Sequence, residues 1–262
     1  MDLGHIALLL AAGLAAGTVN AIAGGGSLVT FPALLATGLP AVAANVTNSV
    51  AVFPGYVASV VGSRRDLADL VAEDAQRGRR RLLALLPTAI AGTVAGCALL
   101  LATPGRAFDV VVPFLVLGAG AVLAFQDRLR SIVGHPHDMP PRRRALALHG
   151  MVLLGSVYGG YFGAALGVML VAALGLVLAT TINRVSALKN AVSAVVGLVT
   201  VLVFGVFGPV DWADVAVLAP ATITGGYVGA RVARRLPARV LKALIVTFAG
   251  VVGVVLLVRA FA

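Results

Sequence analysis

The sequence predicts an all-α polytopic membrane protein built from two inverted five-segment repeats, each containing a short broken or re-entrant helix. Two observations indicate the membrane. The chain of 262 residues is 60% hydrophobic and only 11% charged, whereas soluble domains carry about 25% charged residues. The charges are also clustered, and the apolar stretches between clusters are about 20 residues long, which is the length that a helix needs to cross hydrocarbon.

Ten apolar segments follow one another along the chain, five in each half. In the first half they cover 4–22, 27–38, 41–62, 82–102 and 107–125. In the second half they cover 145–162, 165–178, 182–206, 212–231 and 239–261. The second segment of each half is too short to span comfortably, so whether it crosses fully or re-enters stays open. We expect transmembrane repeats at 1–125 and 145–262, joined by a cytoplasmic linker loop at 126–144.

The basic residues predict how these segments are oriented. Arginine clusters in 63–81 and 126–144, and a basic cluster in 231–242, place those loops in the cytoplasm. The stretch 206–214 contains aspartates but no lysine or arginine, so it is expected outside. The loop after the third segment is then inside in the first half and outside in the second, which predicts inversion. Topology also explains the formal charge of +10, so no nucleic acid partner is expected.

The stretch NAIAGGGSLVTFP interrupts the first apolar region with three consecutive glycines. Gly24, Gly25 and Gly26 would let backbone N–H groups approach a ligand closely. Asn20 precedes them, and Ser27 stands at the expected N-cap of the short helix that follows. Because a helix N-terminus attracts anions, the break predicts an anion site. The alternative is that the glycines only permit close helix packing.

Polar side chains recur after both short segments. In NVTNSV, Asn45 and Asn48 are three residues apart and share one helix face. The alternative role for these amides is capping or hydrogen bonding between helices. The second half repeats the pattern in NRVSALKN, whose candidate binding residues are Asn183, Ser186, Lys189 and Asn190.

Lys189 is the candidate for a charged binding residue. It lies about seven residues into an apolar segment, where a charge is costly and usually functional. The alternative is that its side chain extends to a nearby interface. No aspartate or glutamate lies deep within a predicted segment, so a carboxylate relay for protons or sodium is not expected. Tyr158, beside the second glycine-rich stretch, is predicted either to donate a hydrogen bond to an oxyanion or to pack.

The two interrupted regions also resemble a known family. GLAAGTVNAIAGGGSLVTFPALLATGLPAVAANVTNSVAV resembles the signature of the TauE/SafE sulfite exporter family, also called the toluenesulfonate uptake permease family. GGYFGAALGVML and NRVSALKNAVSAV are similar to its second copy, although GAALG replaces some of the glycines. The resemblance implies a transporter of small sulfur-containing anions such as sulfite, sulfonates or sulfoacetate.

The sequence therefore predicts a multi-pass transporter of the cell membrane that uses alternating access at a midplane anion site. Export is favoured because an anion leaves a negative cytoplasm downhill. The alternatives are an anion channel, an importer, a membrane enzyme and a purely structural partner. An enzyme is not expected, because no HExxH motif and no acidic pair lies in the apolar segments. The expected partners are a small anion and the lipid bilayer, with no metal or cofactor, and the oligomeric state, including a homo-oligomer, stays open.

Overall fold

The computed structural model describes residues 2–22, 24–72, 78–125, 128, 140–175, 177–178, 180–232 and 238–261, and in these ranges it is helical without strands. The first half contains α1 (Leu3–Ile22), α2 (Ser27–Ala36), α3 (Ala41–Gly62), α4 (Arg64–Ala72), α5 (Gly78–Ala102) and α6 (Gly105–Ala124). The second half contains α7 (Pro141–Tyr161), α8 (Leu166–Gly175), α9 (Ile182–Phe207), α10 (Trp212–Val232) and α11 (Ala238–Phe261).

The ten predicted apolar segments correspond to ten of these helices, and α4 is the helix that the sequence analysis placed in a loop. Among the described residues, four helices are long and apolar enough to cross a membrane by length and composition, namely α1, α5, α6 and α9. Most of the predicted linker, at 126–127 and 129–139, lies outside the described residues. Its last part differs from the prediction, because Pro141 begins α7 and the basic residues that follow are helical.

Glycines bring two pairs of parallel helices into backbone contact. On α1, a Cβ added to Gly17 would collide with the carbonyl oxygen of Thr222 on α10. On α5, a Cβ added to Gly96 would collide with the carbonyl oxygen of Val157 on α7. Each of these glycines therefore lets two helix backbones approach closely, as small residues do in membrane bundles.

Helices α3 and α9 cross antiparallel at the centre of the bundle. Gly208, just after α9, contacts Val46 near the start of α3. At the opposite end, Asn190 Nδ2 donates to Ser63 Oγ, just after α3, at 3.0 Å. Between these points Gly197 packs against Phe53, where a Cβ would lie 2.7 Å from the ring. Helices α10 and α5 flank this crossing, packing on α3 and α9 respectively.

Candidate anion site at the helix breaks

Both interrupted regions are true helix breaks with left-handed backbone. Between α1 and α2, Gly24 has φ +78°, and between α7 and α8, Gly163 has φ +73°. Glycine adopts this conformation without the steric cost that a side chain would impose. Ala165 shares the left-handed region, with φ +55°, and it is strained because it carries a Cβ.

The two breaks touch each other. A Cβ added to Gly24 would lie 3.2 Å from the Cα of Gly167, the second residue of α8. A Cβ added to Gly167 would in turn lie 3.1 Å from the Gly24 carbonyl oxygen and 3.4 Å from Cδ of Lys189. The half-buried Lys189 side chain therefore passes the point where the breaks of the two halves meet.

The Asn20 side chain forms a hydrogen bond across the first break. Its Oδ1 accepts from the N–H of Gly26 at 2.8 Å, and the N–H of Gly24 donates to the Val19 carbonyl at 3.2 Å. The prediction that Ser27 is the N-cap of α2 is wrong: Gly26 holds that position without a side-chain cap, and Ser27 is the first helical residue. Asn20 supplies the acceptor that a capping hydroxyl would have supplied, so two of the predicted N–H donors are already used.

Asn45 and Asn48 hold both breaks against α3. The hydroxyl of Thr30 on α2 donates to Oδ1 of Asn48. Nδ2 of Asn45 donates to the carbonyl oxygen of Tyr161, the last residue of α7, at 2.9 Å. Both asparagines are 1% exposed. Because the oxygen of Asn48 is already bonded to Thr30, its remaining hydrogen-bonding groups are the amide N–H groups.

The predicted polar residues of the second half do not all lie at the junction of the breaks. The Tyr158 hydroxyl donates to the carbonyl oxygen of Ala164 at 2.6 Å, which spans the second break. Asn190 is engaged with Ser63 at the end of α3. Asn183 is exposed in the first turn of α9, and Ser186 is half-buried one turn later. Of the predicted residues on α9, Lys189 is the one that reaches the junction of the breaks.

A small cavity with room for about one water molecule lies halfway along α3 and α9, next to both breaks. The cavity is narrow, so a ligand larger than water requires its lining side chains to move. Its lining residues are Ser27, Ser49, Val52, Tyr56, Gly159, Phe162, Gly163, Leu166, Val196, Gly197 and Thr200. Ser27 thus faces the cavity together with Tyr56.

Sequence reasoning about the site missed several of these lining residues. Ser49 carried a usable signal, because it lies one helical turn after Asn45 on the same face. Thr200 and Gly197 carried none, since they lie in an uninterrupted apolar helix and only the crossing with α3 brings them to the cavity.

Comparison with known proteins decides the family. The profile described as "Sulfite exporter TauE/SafE" matches residues 9–256, which is nearly the whole chain. The chain belongs to the TauE/SafE family. Membership confirms the resemblance carried by the two helix breaks and makes this a multi-pass membrane protein of a transporter family.

Curated relatives of this TauE/SafE protein are named as transporters. It is 27% identical over 237 residues to a "Probable membrane transporter protein" of Haemophilus influenzae, covering 88% of this chain and 87% of the relative. It is 27% identical over 269 residues to "Probable membrane transporter protein ORF9" of Sinorhizobium sp, covering 98% and 92%. It is 28% identical over 241 residues to "Probable membrane transporter protein YfcA" of Escherichia coli K12, covering 88% and 80%. No solved structure matches the chain.

Proposed function

We propose that this TauE/SafE protein carries small sulfur-containing anions, such as sulfite, sulfonates or sulfoacetate, across the membrane by alternating access at the central cavity. One observation carries the proposal above all others. The helix breaks of the two halves contact each other beside Lys189, next to a cavity halfway along α3 and α9. Broken helices that meet at mid-depth are the usual construction of a transporter substrate site.

The pattern of helix packing supports two inverted repeats. If α1, α2, α3, α5 and α6 correspond to α7, α8, α9, α10 and α11, each main packing pair maps onto another pair of the bundle. The pair α1–α10 maps onto α7–α5, α3–α10 maps onto α9–α5, and both α3–α9 and α6–α11 map onto themselves. Since α3 and α9 run antiparallel, the operation that exchanges the halves also inverts them. Rocking of one half against the other would open the cavity to each side in turn.

The chemistry of the site suits an oxyanion. Helices α2 and α8 both begin at the breaks, so their N-termini direct partial positive charge toward the junction. Lys189 adds a full positive charge there, and Asn48, Ser27 and Tyr56 add neutral donors. All of these groups are donors or cations, which is what the oxygens of a sulfite or sulfonate group require.

Export is the direction that we propose. A negative cytoplasm expels an anion with about 2.3 kcal/mol per elementary charge for every ~100 mV. An exporter therefore requires no coupled ion, whereas an importer requires one or an exchange partner. No covalent chemistry is assigned to the site, so the proposed role is transport and not catalysis.

The test is a binding screen on the purified protein with sulfite, sulfate, taurine, sulfoacetate and carboxylate analogues. We expect at least one sulfur oxyanion to bind, and Lys189→Ala to weaken its binding by about tenfold or more, since a charge-assisted bond contributes roughly 1.5–3 kcal/mol. The matched control is Arg184→Ala, which removes another positive charge from the same helix. Equal affinity in wild type and Lys189→Ala would remove Lys189 from the site.

An anion channel using the same helix ends is the second function to be distinguished. A carrier exposes its site to one side at a time, so its flux saturates and is stimulated by substrate on the opposite side. We expect both behaviours in proteoliposomes. Linear flux without trans-stimulation would favour the channel.

A further inference from the structure

The side-chain oxygen of Asn45 is a buried acceptor whose orientation is fixed. Nδ2 of Asn45 donates to the Tyr161 carbonyl oxygen, so exchanging the amide nitrogen and oxygen would bring two acceptors together. Oδ1 therefore points away from Tyr161, and no donor among the described residues reaches it. Leaving such a group unsatisfied costs about 1–3 kcal/mol, which a suitable ligand would recover.

This oxygen cannot serve the anion that the sequence analysis assigned to Asn45. An amide oxygen repels the oxygens of sulfite or a sulfonate, while it attracts a cation. The sequence analysis assigned both Asn45 and Asn48 to the anion, but the hydrogen bonds of the two side chains differ. Asn48, with its oxygen occupied by Thr30, offers donors, and Asn45, with its nitrogen occupied by Tyr161, offers an acceptor.

Further neutral oxygens lie at the same end of α7. The N–H groups of Phe162 and Gly163 both donate to the Tyr158 carbonyl. Within the described part of the chain, the carbonyl oxygens of Gly159 and Gly160 consequently accept no backbone hydrogen bond. A helix C-terminus also carries partial negative charge. The end of α7 therefore carries partial negative charge, whereas the α2 N-terminus on the other side of the cavity carries partial positive charge.

Ser49 completes the set on α3. Its hydroxyl donates to the Asn45 carbonyl at 2.9 Å, which leaves the lone pairs of Oγ available as acceptors. Ser49 lines the cavity together with Gly159 and Gly163. The Asn45 side chain, the Ser49 hydroxyl and the end of α7 are therefore neighbours between α3 and α7.

We infer that this oxygen cluster, formed by Asn45, Ser49 and the carbonyls at the end of α7, binds a sodium ion. A monovalent ion fits because these ligands are neutral, and divalent ions usually require carboxylates. No group of acidic, histidine or cysteine residues in the described ranges offers a stronger metal site. The inference rests on the proposed function, since a cation here would stand beside the anion in the cavity.

Sodium binding is measured on the purified full-length protein with radioactive sodium, without any anion substrate. Thermal stability is compared in sodium chloride and in N-methylglucamine chloride at equal ionic strength. We expect saturable sodium binding and a higher Tm in sodium. Asn45→Leu should weaken sodium binding by about tenfold or more, because it removes one ligand at a cost of roughly 1–3 kcal/mol. Asn45→Asp keeps an oxygen ligand and should still bind sodium, but it should lower the Tm because it sets a second acceptor against the Tyr161 carbonyl.

The matched control is Ser156→Ala, which removes another buried hydroxyl without a described partner, on α7 beside Gly92 of α5. It should keep wild-type sodium binding. Absence of sodium binding by the wild type, or equal Tm in both salts, would overturn the site, and a buried water would then satisfy Asn45. Should Asn45→Leu fail to fold, the wild type and Asn45→Asp decide the question.

The same experiment separates the two proposals. Anion binding that persists in N-methylglucamine, with no sodium binding, would refute the sodium site and leave anion transport standing. Sodium binding with no sulfur oxyanion bound in either salt would refute the anion proposal and retain the cation site.

Discussion

At the residue scale, three asparagines hold the ends of the broken helices. Asn20 accepts from Gly26, Asn48 accepts from Thr30, and Asn45 donates to Tyr161. A helix that ends within lipid leaves N–H and C=O groups that water cannot satisfy, so buried side chains have to bond to them. Polar residues that look like ligands in the sequence are therefore partly structural, and only their remaining donors and acceptors are left for the proposed substrate.

Replacing Gly24 with alanine tests the contact between the breaks. The left-handed φ at Gly24 costs about 1–2 kcal/mol for alanine, and the new Cβ would also press on Gly167. Gly38→Ala is the matched control, because Gly38 has φ +93° but nothing within 4 Å of an added Cβ. We expect both variants to lose Tm and only Gly24→Ala to lose transport as well. Equal transport loss in the two variants would contradict a functional contact.

Substitutions of Asn20 give a second prediction, in which the effect on protein stability differs from the effect on anion binding. Asn20→Ala removes the acceptor for the Gly26 N–H and should destabilise the protein by about 1 kcal/mol, as the loss of a helix cap does. Asn20→Asp keeps the acceptor but places negative charge beside the anion site. We expect Asn20→Asp to retain more of the Tm than Asn20→Ala and to bind sulfur oxyanions more weakly than wild type. Unchanged anion affinity in Asn20→Asp would place the anion elsewhere.

At the element scale, the apolar pattern predicted the helices and the two breaks but not the details of their ends. Helix α3 begins and ends at the predicted residues because polar and proline-containing stretches flank its apolar run. Helix α4 was missed because RRDLADLVA is polar overall, although leucines at helical spacing let it pack against α9. Ser27 was misassigned because its cap is replaced by Asn20, a contact across the break that local sequence does not reveal.

The packing of α1 on α10 and of α5 on α7 gives an element-scale prediction. Gly17→Leu and Gly96→Leu each force a side chain into a facing backbone carbonyl, so each should separate its helix pair. Overpacking usually costs about 1–3 kcal/mol, and backbone collisions should reach the upper end. Gly118→Leu on α6, where nothing lies within 4 Å, should keep the Tm of the wild type. Tolerance of leucine at Gly17 or Gly96 would contradict these close approaches.

At the scale of the whole molecule, each half contains a helix break, and the two breaks contact each other. Helices α2 and α8 each have 10 residues and each follows a left-handed glycine. Exchange of the halves preserves the main packing pairs, so we expect two conformations, one open to each side. Inversion of the halves is a prediction from the charged loops, whereas the contact of Gly24 with Gly167 is seen only in the structure.

The most direct measurement is the accessibility of one cavity position from both sides of the membrane. Ser27→Cys is prepared with Cys97→Ala, because Cys97 is the single cysteine of the chain, and is treated with a charged thiol reagent in intact cells and in inverted vesicles. Thr103→Cys in the same background is the control that should react from outside alone. We expect Ser27→Cys to react from both sides and a saturating sulfur oxyanion to slow both reactions. Reaction from one side only under every condition, or no protection by any anion, would contradict a single central site that opens alternately.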